Sequence, residues 1–491
     1  MISANLPILH VIIPLIGAPL GLLFSRSPTG AWLLALIISW FTLADSLALL
    51  LIVSGGEVVS YEIGDWAAPW GIEYRVDMLA AYVIVIVSGI GAVTMLYARQ
   101  SVEAEIPRDR IYLFYTMYLL TLSGLLGIAT TGDTFNLFVF LEISSLSTYV
   151  MVSLGAERRA LTAAFRYLVL GTLGATFYVI GVGLMYQMTG TLNMADLVNR
   201  LPEVAETRTI LAAVAFLTVG IGLKLGLFPV HVWLPNAYTY APSVVTAFLA
   251  ATATKVAVYV LVRIYYTLFK GGVFETLPVD EILLALSLVA IVAMSAVAIF
   301  QTNVKRLLAY SSVAQIGYML IGISLVTITG LTAGILHLFN HALMKGALFL
   351  ALGCVFFRIR SVNVDDMAGL GKAMPWTMAA FVTGGLSLIG IPLTVGFVSK
   401  WYLILASLEK EWWPLAAVIL FSSLLAVIYM WRVIEVAYFR ERPAGAATIG
   451  EAPLAMLVPM WVLVGANVYF GIDTDLTVGT ARAAATFLMG G

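Results

Sequence analysis

Charge is the scarcest property of this sequence. Of its 491 residues 11% are Asp, Glu, Lys or Arg, against 61% hydrophobic residues, and the mean hydropathy is +1.00. A soluble chain carries about twice that share of charge, so a soluble globular domain is excluded and a lipid-embedded chain is implied. The formal net charge of −1 leaves no excess of basic groups to neutralise phosphates, which excludes nucleic acid as a partner. Cysteine is nearly absent. Cys354 stands alone, so there is no disulfide framework and no iron–sulfur or metal site made only of this chain's cysteines. The sequence holds no glycine-rich nucleotide loop and no cofactor-ligand set, so no cofactor and no bound metal are expected, and the chain is not itself an oxidoreductase. Apolar sequence begins almost at the first residue, without a basic n-region or a small-residue cleavage site, and a cleaved signal peptide is not expected.

What is present is apolar sequence in runs of about 20 residues or more, long enough to cross a bilayer. Fourteen are expected, near 5–24, 31–53, 77–98, 111–131, 133–154, 161–188, 209–229, 242–268, 281–300, 305–327, 331–357, 375–395, 414–439 and 453–472. Basic residues gather in alternate short loops, among them Arg26, Arg99, Arg158, Arg159, Lys305, Arg306, Arg358 and Arg440. The positive-inside rule then places both termini on the outer side of a bacterial-type cell membrane.

Two spans carry helix breakers close to a lysine: GIGLKLGLFPVHVWLPNAYTYAP, with Pro229, Pro235 and Pro242, and GGLSLIGIPLTVGFVSKWY, with Gly390, Pro392 and Gly396. Proline removes a backbone donor, and irregular backbone at membrane depth survives only where protein or a wet cavity surrounds it. These are the seventh and twelfth spans, each fourth in a possible five-helix unit, the spacing of an inverted-repeat transporter. The expected organisation is residues 1–110 with helices 1–3, 111–270 as repeat one, 281–442 as repeat two, and 443–491 as a last helix and tail.

Within these apolar runs sit ionisable groups, each costing roughly 2.5–3.5 kcal/mol to insert. Glu142 is followed by Ser144, Ser145, Ser147 and Thr148, hydroxyls able to hold a carboxylate or water. It reads either as a locally capped acid or as a partner for Lys224, which lies five residues before Pro229. A lysine can give up its proton where an arginine cannot. Lys255 lies in TATKVAVYVLVR with apolar neighbours on both sides; Arg263, two turns on, reads as a membrane-edge anchor. His337, His341 and Lys345 recur at i, i+4 and i+8. Successive members rotate by about 40° and rise by about 6 Å, so they share one helix face. Such a stripe suits a proton relay, because imidazole titrates near neutral pH and can accept on one nitrogen while donating on the other. Satisfied core histidines are the alternative. Haem ligation by both would need opposite faces, and zinc would need an acid or cysteine nearby. Lys400 is either the end of the row or a lysine snorkelling to the interface. His231 either relays protons or caps the break at Pro229. Arg432 and Glu435 read as a self-paired couple, Asp45 has no obvious partner, and His10 reads as incidental.

At these residues the chain resembles a known family. GLFPVHVWLPNA, APSVVTAFLAATATKVAVYVLVR, VKRLLAYSSVAQIGYM and HLFNHALMKGALF are similar to the proton-translocating membrane subunits shared by respiratory complex I and Mrp-type multisubunit sodium/proton antiporters, over roughly residues 75–440. FNLFVFLEISSLSTYV and SKWYLILA with YMWRVIEVAYF are similar to the D-type branch of the Mrp antiporter subunits. The resemblance implies an all-α integral membrane protein of about 14 helices, with two inverted five-helix repeats and broken helices 7 and 12. It maps the family's essential pair onto Glu142 and Lys224, its central relay onto Lys255, His337, His341 and Lys345, and its terminal lysine onto Lys400. Ser145, Thr148, His231 and Tyr238 are auxiliary candidates. Complex I members commonly have histidine at the position of Tyr238, which favours the antiporter branch. The implied function is proton conduction within a multisubunit sodium/proton antiporter, moving H+ and, as an open alternative, Na+. Its partners are then a large A-like subunit, small membrane subunits and the lipid bilayer. The alternative is a proton-pumping subunit of complex I or of a membrane-bound hydrogenase.

Overall fold

The computed structural model describes residues 2–442 and 449–490. The apolar runs form helices because in lipid every backbone N–H and C=O must find its partner within its own segment. The chain opens with α1 (Ile2–Leu20) and α2 (Pro28–Val53). Ser27 caps α2 by accepting from the Gly30 amide, with Pro28 in the first turn. A short antiparallel hairpin follows, β1 (Val59–Glu62) on β2 (Glu73–Val76) with Val59 opposite Val76.

The next elements are α3 (Met78–Glu105), α4 (Ile111–Thr130), α5 (Thr134–Ser153), α6 (Arg158–Thr189), the short α7 (Met194–Val204) and α8 (Arg208–Leu225). Then come three pieces, α9 (Leu234–Tyr240), α10 (Ser243–Ala251) and α11 (Ala253–Val262), a π-helical turn over Arg263–Leu268, and the single turn α12 (Val273–Thr276). The second half holds α13 (Val279–Ile299), α14 (Val304–Ser324), α15 (Ile328–Ile359), the turn α16 (Leu370–Ala373), α17 (Pro375–Ile389), α18 (Val395–Glu409) and α19 (Trp413–Phe439). The chain closes with α20 (Leu454–Ile472) and α21 (Asp475–Leu488).

Among the described residues thirteen helical stretches, with α10, α11 and the π-helical turn counted as one, are long and apolar enough to cross a membrane. The interrupted pair α17–α18 stands at the place of the expected twelfth span. Both expected interruptions are present, at residues 226–233 and 390–394. The eighth expected span is also broken, at Thr252 between α10 and α11. The hairpin, α7 and α21 were not anticipated, being too short or too polar to read as spans. Of the expected C-terminal unit, residues 443–448 and 491 lie outside the described residues.

Burial separates two kinds of helix. The spans Ser243–Leu268 and Val304–Ser324 are 94% buried over their most apolar stretch, whereas Trp413–Phe439 is 33% buried. The former are central and carry or flank the ionisable side chains; the latter turns most of its surface to lipid. Close packing places α8. A Cβ on Gly220 would meet the Gly174 carbonyl of α6 at 2.7 Å, so α6 and α8 approach backbone to backbone, as small residues permit in membranes. That contact seats the stem of Lys224, whose Cγ lies 3.5 Å from where a Cβ of Gly174 would stand.

Candidate functional site

Lys224 occupies the last turn of α8, which stops because Gly226 adopts φ +76° and turns its amide back to the Gly222 carbonyl. The broken segment is pinned by Trp233, whose indole donates to the Leu223 carbonyl at 2.8 Å and stacks on Tyr167. At a helix C-terminus an ammonium meets the negative end of the backbone dipole. Lys224 Nζ donates to Glu142 Oε1 at 3.2 Å and to Ser145 Oγ at 2.7 Å, both on α5. Lys224 is buried and Glu142 is partly exposed. A cavity of about 30 Å³ runs from Lys224 and Ser145 to Ala253, Val256 and Ala257 of α11, large enough for a water molecule.

Lys255 sits on α11, one turn after the break. The departure of Thr252 from helical geometry (φ −125°, ψ −60°) frees carbonyls of the preceding turn, and the Lys255 ammonium donates to one of them, that of Ala250, and to Thr254 Oγ1 at 3.4 Å. Among the described residues no carboxylate pairs with it. Within electrostatic range of it are His337, His341 and Lys345 of α15.

These three share one face of α15, as the spacing requires. The imidazoles of His337 and His341 are parallel, 5.9 Å between centroids and 5° between planes. His337 bonds Ser399 Oγ of α18 through Nδ1 at 2.7 Å and Gln315 Oε1 of α14 through Nε2 at 2.8 Å. His341 is fully buried, and neither ring nitrogen has a hydrogen-bond partner among the described residues. Lys345 donates to the Leu308 carbonyl at 2.8 Å and to Ser311 of α14.

Lys400 completes the series. Its ammonium donates to the last carbonyls of α17, Leu388 at 3.1 Å and Ile389 at 2.8 Å, and to Ser423 Oγ of α19 at 3.0 Å. It also lies 4.9 Å over the Tyr318 ring, a favourable cation–π position. Two glycines make this possible. Gly390 has φ +96°, and a Cβ on Gly396 would overlap the Ser387 carbonyl. Lys400 is buried, so it does not snorkel.

Beyond the Glu142–Lys224 pair, the buried bases Lys255, His337, Lys345 and Lys400 are held by neutral oxygens, and such an arrangement can hold a proton at successive positions without trapping it in a fixed ion pair. The profile of the family described as "NADH:quinone oxidoreductase/Mrp antiporter, TM" matches residues 131–426, which contain this whole arrangement. The chain belongs to this family. A protein of Desulforudis audaxviator named NADH-quinone oxidoreductase subunit N is 43% identical over 478 residues, 94% of each chain. The D-type subunit of the Na(+)/H(+) antiporter of Alkalihalophilus pseudofirmus is 32% identical over 476 residues, 96% of this chain and 94% of that one. A chain in the structure of the Mrp complex from Dietzia superposes with a TM-score of 0.91 at 27% identity, covering 100% of this chain and 98% of that chain. This is therefore a multi-pass, proton-translocating antiporter-like membrane subunit, similar to the D-type subunit of Mrp antiporters.

In the antiporter-like subunit the auxiliary candidates divide. Ser145 touches Lys224. Thr148 bonds the Ser144 carbonyl of its own helix at 2.7 Å and meets Lys224 only across the small cavity. Tyr238 points its hydroxyl at the Leu249 carbonyl and at Thr254, beside the Lys255 break. His231 is packed between Phe228 and Tyr310 and bonds none of the other candidates.

Three readings are corrected. Arg263 is buried rather than anchored at the interface, in a bidentate pair with Asp77, the residue that caps α3. Arg432 donates to the carbonyls of Ile299 and Gln301, while Glu435 faces Arg440, so the two do not pair. Asp45 does have a partner, and it is His10. Sequence reasoning missed Gln315, Ser399, Ser311 and Ser423. Of these Gln315 alone carried a signal, an amide inside an apolar span.

Proposed function

We propose that this subunit conducts protons along an axis from Glu142–Lys224 through Lys255 and the Lys345–His341–His337 stripe of α15 to Lys400, within a multisubunit monovalent cation/proton antiporter. The observation that carries the reading is the placement of these buried bases on interrupted or central helices, Lys224 held by a carboxylate and a hydroxyl and the other three ammonium groups by carbonyl and hydroxyl oxygens. Charge can then move between them by Coulomb coupling: a unit charge ~10 Å away is worth roughly 1.7 kcal/mol at an effective dielectric of about 20. Separation or pairing of Glu142 and Lys224 changes the charge felt at Lys255, and repulsion passes the change along α15 towards Lys400. Residues 111–270 and 281–442 act as two five-helix units, each with an interrupted fourth helix. Both termini face outward, the proton motive force drives cation export, and the partners are an A-like large subunit and small membrane subunits.

The test is sodium-dependent proton movement in everted vesicles carrying the complex with Glu142→Ala. Exchange falling to background in an assembled complex is expected; full exchange would overturn the axis. The 43% identity to a protein named as a quinone oxidoreductase subunit favours a second reading, the proton-pumping arm of a redox complex. Co-purified neighbours separate the two: small Mrp-like membrane proteins in the first case, iron–sulfur and quinone modules in the second.

A further inference from the structure

Outside the axis lies one buried titratable pair that the proposed transport does not use. His10 of α1 is wholly buried and Asp45 of α2 nearly so. His10 Nδ1 lies 3.1 Å from Asp45 Oδ2 and 3.1 Å from the Leu6 carbonyl, and Nε2 lies 2.7 Å from Thr130 Oγ1 at the end of α4. The Thr130 hydroxyl is also 2.7 Å from the Leu126 carbonyl. Asp45 Oδ1 has no partner among the described residues.

The proton count follows from these distances. Nδ1 faces two oxygens and no donor, so it carries a hydrogen and donates. Nε2 faces a hydroxyl that can serve either way. With Nε2 bare, Thr130 donates to it, and the site is neutral imidazole beside carboxylate. With Nε2 protonated, the Thr130 hydroxyl rotates to donate to Leu126 and accepts from Nε2–H, and the site is imidazolium beside carboxylate. One proton is gained, the site passes from charge −1 to 0, and no heavy atom moves. A neutral loaded state suits a buried site.

Of the elements packed around it, α3 carries Arg99, paired with Glu103, and Glu105, which accepts from Ser101 and Ser243, with Asp77 at its start paired to Arg263. Asp45 is the one charged residue of α2; α4 offers Tyr112, Tyr115 and Tyr118. On the hairpin, Glu73 accepts from Ser60 and Asn193, Glu62 from the Ala68 amide, and Arg75 lies near Glu73. Thr131, next to Thr130, lines a cavity of about 700 Å³ together with Arg75, Asp77, Tyr259 and Arg263.

We propose that His10, Asp45 and Thr130 form a second, reversible proton-binding site, separate from the axis and exchanging with this cavity. In the assembled complex, ¹⁵N-histidine spectra of wild type minus His10→Gln isolate this imidazole. The expected result is a change from doubly protonated to singly protonated ring as pH is raised across the range in which the complex stays assembled. One unchanging pattern across that range would overturn the proposal. Should His10→Gln fail to assemble, Asp45→Asn gives the second arm: the histidine spectrum should lose one doubly protonated ring at low pH, and its persistence would equally overturn the site. The spectra read this site whatever the axis does, so its failure and that of the axis are distinguishable.

Discussion

At the scale of single residues, an ammonium able to release its proton differs from one that is merely buried and charged. Lys224→Arg keeps the charge beside Glu142 but cannot deprotonate. Transport in that variant should fall by about tenfold or more, the rate equivalent of roughly 1.4 kcal/mol, with assembly intact; initial rates in vesicles measure it. Asp77 and Arg263 are the contrasting case, a structural ion pair. Asp77→Asn leaves a buried guanidinium unpaired and should cost about 3–5 kcal/mol, whereas removing both partners in Asp77→Asn with Arg263→Met should recover much of that loss. Thermal midpoints in lipid discs would show the order of the two. Burial alone would push the Asp77 carboxyl up, but the Arg263 charge and hydrogen bonds outweigh it and hold it below its ordinary 3.8. The stabilisation is therefore complete above that value and is lost as pH falls through the lower folded one. Acid titration of the midpoint should show no loss from this pair above about pH 4.

At the scale of elements, the junction between α17 and α18 depends on glycine. Gly396→Ala drives a methyl into the Ser387 carbonyl, and Gly390→Ala adds the penalty of a positive φ, about 1–2 kcal/mol, next to the Lys400 stem. Both should abolish transport, and Gly396→Ala should also lower the amount of assembled complex on native gels. This junction and the one after Lys224 were legible in the sequence because proline and glycine mark them. The break at Thr252 was not, since Ala251, Thr252, Ala253 and Thr254 include neither. At the break Thr252 Oγ1 bonds back to the Phe248 carbonyl at 2.7 Å, a competition that can bend helices. The stripe on α15 was legible because it is periodic within one helix. The partners of Asp77 and Asp45 were not, because Arg263 lies 186 residues along the chain from the first and His10 lies 35 from the second. A local pattern carries no trace of such pairs. The short amphipathic α7, with Asp196, Arg200 and Pro202 inside it, reads as loop.

At the scale of the whole molecule, the most buried spans run through the centre and the least buried ones face outward. A lipid-facing substitution such as Leu424→Ala, at an exposed position of α19, should change stability by within about 0.5 kcal/mol. The same truncation at buried Leu348 of α15 should cost about 2–5 kcal/mol. Unfolding followed in one lipid system would compare them directly.

The three interruptions also leave a chemical record that can be read without any transport assay. At these breaks some backbone amides, such as those of Val230, Val232, Leu393 and Thr394, lie outside the hydrogen-bond ladder that shields regular helix, whereas those of Gly226, Thr252 and Gly390 still bond the preceding turn. In heavy water the amides outside the ladder should take up deuterium sooner than the flanking turns of α8, α11 and α18. Mass spectrometry of peptides from the intact complex would then map where solvent penetrates the hydrocarbon layer.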